Sequence, residues 1–314
     1  MSLHLAELIA RYPRRPAHQV PAWMMGLWRR HIISFADGSS DTDTQVFWLQ
    51  SRNFSIDLRL PRPADIVPGG VPLTFRSPGQ WRVIANYEGW VAHSRWDGAQ
   101  LSWSDPTAYQ FDDRWPEPAP LQRIGNCMLE VAPSGAYAED WRLQASADGP
   151  LVGLRLIEEV DLRTGRQRHV GGGLIVSGDF AGLVLGRADP RKEPGSLEQA
   201  VLAAQSQPEA LARLLGFEAS IACGALDRGF EVTHSTVPGR PGTMLFPLDG
   251  FAFQADGTVI QEIRQGDAVC LRRFTVDTIE PSVSWPLSTP QAPSGAAWMA
   301  RHAGTLGRYL RTLE

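Results

Sequence analysis

Apolar and polar residues alternate along most of the chain with a period of two, the spacing of a half-buried strand. In residues 53–60, Phe54, Ile56, Leu58 and Leu60 point one way and Ser55, Asp57 and Arg59 the other. Residues 90–104 read as a hairpin about Asp97-Gly98, a dipeptide that tolerates the positive φ of a tight turn. A second hairpin turns at Thr164-Gly165, joining 151–163 to 166–177, and a third turns at Asp256-Gly257. The pattern predicts about sixteen strands against three helices. Residues 2–11 form one helix. Residues 196–216 form another, opened by the capping-box pair Ser196 and Gln199 and split at Pro208. The third spans 296–313, where Trp298, His302, Leu306, Tyr309, Leu310 and Leu313 make one stripe that would dock on a sheet. His302 on that stripe reads as a packing residue.

Residues 114–120, Arg-Trp-Pro-Glu-Pro-Ala-Pro, cannot lie inside a central strand, because proline has no amide to donate. They place a boundary between an N-terminal unit, 1–118, and a second unit, 119–314. The second would carry an inserted helix at 196–216 and the C-terminal helix at 296–313. Another proline-rich stretch, 281–293, separates the last strand from that helix. The two units share short matches in the same order. Trp28-Arg29 answers to Trp141-Arg142, and Ile56-Asp57-Leu58-Arg59 to Val160-Asp161-Leu162-Arg163. Tyr87-Glu88-Gly89-Trp90-Val91 answers to Phe180-Ala181-Gly182-Leu183-Val184. A duplication follows, each copy a sheet that curls closed and so removes its edges.

Gly26-Leu27-Trp28 resembles the glycine-x-tryptophan start of the lipocalins and wider calycins. The resemblance implies that Trp28 closes a barrel floor under an arginine from the last strand, with Arg95 or Arg187 in that place. The chain is also similar to the fungal casein-kinase-interacting family of calycin-like double barrels. Val46-Phe47-Trp48-Leu49, Trp96-Asp97-Gly98 and the run from Asp179 to Arg187 carry the likeness. It implies a mainly β fold of two lipocalin-like antiparallel β-barrels with a few peripheral helices. It implies no chemistry, and it does not reach the tail after Asp277.

Composition narrows the function. Hydrophobic residues make up 43% and charged residues 20%, with a net charge of -4, so no basic excess argues for nucleic acid. No apolar run is long enough for a membrane, and the N-terminus has the wrong order of charge and apolar stretch for a secretory signal. Three cysteines without CxxC spacing support neither a zinc ribbon nor a disulfide framework, and suit a reduced cytoplasmic protein. Eleven tryptophans offer both core filling and the walls of an aromatic pocket.

No nucleophile elbow, P-loop, HExxH or dinucleotide fingerprint is present, so no cofactor and no metal is expected. Gly171-Gly172-Gly173 falls on a strand and reads as close packing or a bulge. A two-residue turn at Thr164-Gly165 would set Val160 opposite His169. Glu158 and His169 would then be polar residues on the inward face of Val152, Leu154 and Leu156, fit to move protons. Their alternative is a contact that only braces the sheet, or a slipped register. For ligand binding the candidates are Trp28, Arg82, Tyr87, Trp90, His93 and Arg142. Trp90 and His93 differ in parity, so only one of them faces a pocket.

Two readings remain open. One is a cofactor-independent lyase, of decarboxylase or hydratase type, acting on a small aromatic or apolar acid. The other is a non-catalytic ligand carrier or protein-interaction scaffold. A homodimer is compatible with both.

Overall fold

A computed structural model describes residues 2–71, 75–115, 117–190, 195–287 and 294–307. Two large antiparallel sheets dominate it. The first contains β1 (Gly26–Phe35), β2 (Ser40–Asp41), β3 (Gln45–Gln50), β4 (Phe54–Leu60), β5 (Glu88–Trp96), β6 (Gln100–Ala108), β7 (Ala119–Ile124), β8 (Cys127–Val131) and β9 (Tyr137–Leu143). From β3 onward each strand pairs with the next, and β2 is a short ribbon on the far end of β1. The last strand returns to the first, in register from Trp28↔Leu143 to Phe35↔Tyr137, and closes an eight-stranded barrel. The turn between β5 and β6 is the one the Asp97-Gly98 dipeptide predicts, with Gly98 at φ 105°.

The second sheet contains β10 (Gly149–Asp161), β11 (Gln167–Val170), β12 (Gly172–Ser177), β13 (Phe180–Leu185), β14 (Glu218–Ala225), β15 (Gly229–Ser235), β16 (Phe251–Phe253), β17 (Val259–Gln265) and β18 (Ala268–Val283). Its order is β15-β14-β13-β12-β10-β18-β17-β16, and among the described residues its two edges do not meet. Each edge is covered instead. Met244 bridges to Glu231 on β15, and Leu3 pairs with Phe251 on β16. Helix α1 (Leu5–Arg11) buries Leu5, Leu8 and Ile9 in the core of this sheet. The expected pair of barrels is therefore one closed barrel and one open sheet.

The change of sheet also lies elsewhere than the prolines suggest. Residues 119–143 complete the first barrel, so the switch falls at 144–148 and not at 118. The proline-rich stretch joins β6 to β7 where their ladder is shortest, with only Gln100↔Pro120 and Leu101↔Ala119 in register. The matched Trp28-Arg29 and Trp141-Arg142 are cross-strand neighbours in that barrel, Arg29 opposite Arg142, and not equivalent parts of two copies.

The helices follow their caps. Ser196 and Gln199 form the capping box of α2 (Leu197–Ala203), and Pro208 opens α3 (Pro208–Leu214). A fourth helix, α4 (Pro78–Ala85), escaped the alternation reading, although Ser77 and Gln80 form a capping box there too. In α5 (Ser294–Leu306) Trp298 is buried and stacks on His302; Tyr309, Leu310 and Leu313 fall outside the described residues. At Gly172, φ is 139° and a Cβ would collide with the Val184 carbonyl, so the glycine run serves close packing. No helix among the described residues is long and apolar enough to cross a membrane.

The outer face of the barrel packs on the outer face of the open sheet. Leu49, Phe54, Ile56 and Leu58 from the barrel meet Ile175, Val184, Ala219 and Ile221. The apolar parity of β4 thus points away from the barrel axis, and its polar parity points inward. A bidentate Arg52–Glu280 pair, at 2.7 and 2.8 Å, ties the rim of this contact.

Candidate functional site

That inversion builds the site. Asp57, between Trp48 and Trp90 in the ladder, faces the barrel interior, where there is a cavity of about 130 Å³. Five indoles wall it: Trp48, Trp90, Trp103, Trp115 and Trp141. Four are held by their N–H groups. Trp48 donates to Gln50 (3.1 Å), Trp103 to Ser55 (3.2 Å), Trp115 to Glu88 (3.0 Å) and Trp141 to Glu130 (3.1 Å). Trp48, Trp90, Trp103 and Trp141 also meet edge to face, with centroids 5.7 to 6.3 Å apart. A wall fixed in this way costs a ligand little ordering on binding.

The polar part of the lining is charged and buried. Arg59 donates to Asp57 at 2.9 Å and lies over the Trp115 ring at 4.3 Å; its Nη1 has no hydrogen-bond partner. Glu130 and Glu139 face each other across β8 and β9 and are 6% and 3% exposed. Arg30 donates to Glu139 and to Asp41, both at 2.9 Å. Burial, then the neighbouring Glu139, push the Glu130 carboxyl well above the usual carboxylate range, against the pull of Arg59. Burial likewise raises Asp57, opposed by Arg59. The Tyr137 hydroxyl is raised by burial and by both glutamates. A carboxyl raised by burial, facing a second carboxyl that an arginine bonds, is an arrangement able to exchange a proton.

Of the residues singled out in the sequence, Trp90 lines the cavity and His93 is exposed, which resolves their parity. Trp28 is buried in the barrel core, donating to the Met24 carbonyl at 2.8 Å. The guanidinium over its ring is that of Arg123, at 5.3 Å, and not of Arg95 or Arg187. Arg95 is exposed. Arg187 donates to the carbonyls of Leu214, Ala108 and Tyr109, where burial lowers it to about 10. Tyr87 is buried between the sheets with its hydroxyl accepting from Val67 N, so it is remote from the indole wall. Arg82 sits on α4, exposed, beside Glu198, and the half-buried Arg142 pairs with Asp140.

Glu158 and His169 are not brought together. The turn sets Asp161 opposite Arg166 and the register with β11 shifts between Glu159 and Val160, so Glu159 and not Val160 stands opposite His169. Parity changes after Leu156, which leaves Glu158 bonded to Gln167 at the surface and buries Glu159 against Arg272 at 2.8 Å. His169 turns its Nδ1 to the Gly186 carbonyl, and burial lowers its pKa.

The cavity residues Asp57, Arg59, Glu130 and Glu139 were missed for two reasons. Asp57 and Arg59 read as the solvent face of an amphipathic strand. Glu130 and Glu139 fell beyond the assumed boundary. A signal existed in β9, where Glu139 shares the buried parity of Tyr137, Trp141 and Leu143.

Comparison with family models, with curated proteins and with solved structures finds no match to this chain.

Proposed function

We propose that the chain is a small-molecule-binding barrel protein whose ligand enters the tryptophan-walled cavity of the closed barrel. The observation that carries this reading is the cavity itself, walled by five indoles inside the barrel. Protein interiors are packed nearly without voids, and an apolar cavity of roughly 150 Å³ admits a benzene-sized guest. A single ring or a compact branched group would fill the space between the indoles.

A second reading, a cofactor-independent lyase of the decarboxylase or hydratase type, is favoured by the raised pKa of the buried Glu130 carboxyl beside Glu139. A carboxyl group whose pKa is raised by burial, with a second carboxyl facing it, is suited to act as a general acid. A passive carrier has no need of such a pair. The lining suits a carboxylate ligand poorly, because Arg59 is already engaged by Asp57.

Intrinsic tryptophan fluorescence tests both readings. Titration with aromatic acids, phenols, fatty acids and amines should give saturable quenching by at least one class. Trp103→Leu should weaken that response. Mass analysis of each mixture then separates the two, a changed ligand mass marking an enzyme. Absence of quenching across every class would sink the cavity as a ligand site.

A further inference from the structure

The lining is unevenly charged. Asp57, Glu88, Glu130 and Glu139 stand on the wall, with Asp112, Asp113 and Glu117 beyond them, against only Arg59 and Arg114. Both bases are taken. Arg59 is paired with Asp57 and Arg114 with Glu88, each at 2.9 Å. Arg30 neutralises Glu139 from outside the lining. Among the described residues Glu130, Asp112, Asp113 and Glu117 form no ion pair, although the Arg59 charge reaches Glu130. Three of these are near solvent; Glu130 is not, being 6% exposed.

Glu130 has Trp141 N–H on one oxygen and Glu139 as its acidic neighbour. Two buried carboxyl groups facing each other across neighbouring strands disfavour two negative charges, and this together with burial raises the Glu130 carboxyl. Asp57 and Arg59 on β4, Arg30 on β1 and Tyr137 on β9 are the other charged and titratable groups around them. The five indoles present ring faces whose quadrupole attracts positive charge. One of them already does so, since the Arg59 guanidinium rests 4.3 Å from the Trp115 centroid. A hard metal ion would need several oxygen ligands in one shell. Among the described residues no group of three His, Cys, Asp or Glu side chains is placed to supply them.

We propose that the cavity takes a small organic ammonium ion, a protonated or quaternary amine, its charge met by Glu130 beside Glu139 and its carbon shell by the indoles. This rests on the cavity being the ligand site and names the class of ligand it selects. The bound cation takes the place of the proton on the glutamate pair, so binding releases that proton to solvent. An anion meets an acidic rim and two arginines already paired with carboxylates, with only the Arg59 Nη1 left unpartnered. An uncharged isostere gains the apolar contact alone.

The test uses the full chain at neutral pH with choline and benzyltrimethylammonium as probes. 3,3-Dimethylbutan-1-ol serves as the uncharged counterpart of choline, and benzoate as the anion. Tryptophan quenching gives affinity, and calorimetry in two buffers of different ionisation enthalpy counts protons. The expected result is saturable binding of the cations, about tenfold or more tighter than the uncharged counterpart, with release of about one proton. Glu130→Gln, checked for folding by circular dichroism, should lose that preference and release no proton. Should that variant not fold, the proton count on the native chain decides alone. Equal binding of 3,3-dimethylbutan-1-ol, stronger binding of benzoate, or cation binding without proton release would overturn the ammonium proposal while leaving the cavity as a binding site. No response to any probe would overturn both.

Discussion

At the scale of single residues, burial decides which charges are chemical and which are structural. Arg30 and Glu139 have side chains only 4% and 2% exposed, and they meet at 2.9 Å. Loss of one member leaves the other buried without a partner, which is costlier than loss of the pair. His234 is a different case. Its ring lies 4.3 Å from Phe47, where the two sheets meet, and burial, then the Arg29 charge, push its pKa down to about 4. An unfolded histidine titrates near 6.5. The unfolded chain therefore takes up the proton first, and stability should be full above pH 6.5, fall toward pH 4 and level off below. His169 is lowered as well, so the native chain carries both contributions. Urea unfolding of His234→Gln beside the native chain isolates one of them. The variant should lose less stability between pH 7 and pH 4.5, and parallel pH profiles would exclude a role for His234.

At the scale of elements, the alternation read from the sequence located strands well and their faces poorly. The turns at Asp97-Gly98 and Asp256-Gly257 and the caps at Ser196 and Pro208 are local devices, and local chemistry determines them. Which face of β4 turns inward depends on a partner sheet more than a hundred residues away, and no periodicity carries that information. The bulge at Ile157 is equally silent, yet it moved the whole assignment from Glu159 to Glu158. One sequence match had a meaning other than duplication. Gly89 and Gly182, aligned in the supposed repeat, both sit where the two sheets pack against each other. A Cβ on Gly89 would press on Ala219, and one on Gly182 would lie 2.9 Å from Leu49 and 3.2 Å from Ile56. Gly182→Val should therefore cost about 1–3 kcal/mol through overpacking. Denaturant midpoints compared at constant slope would check this, and an unchanged midpoint would mean that the layer yields.

At the scale of the whole molecule, the N-terminal segment belongs to the second sheet although the first barrel follows it in the chain. Leu3 exchanges hydrogen bonds with Phe251 at 2.7 and 3.1 Å, and Arg14 does so with Ile279 at 2.8 and 2.7 Å. Between these contacts α1 fills the core of the open sheet. Deletion of residues 2–14 should leave the cavity's tryptophan environment intact and expose the edge of β16. Hydrogen exchange would then speed up at Phe251 and Phe253 while the barrel amides stay protected. Uniform loss of protection would instead mean that the two sheets unfold as one unit.

The same arrangement sets an order on synthesis. Residues 3–14 leave the ribosome before the barrel, and their strand partners in β16 and β18 leave it after. Leu5, Leu8 and Ile9 must stay unburied for the time needed to translate everything between. At about 5–20 residues per second that is on the order of ten seconds or more. During that interval a short amphipathic segment and an unfinished sheet both present apolar surface. A nascent chain built this way has reason to depend on a chaperone that shields its first residues until its last strands arrive.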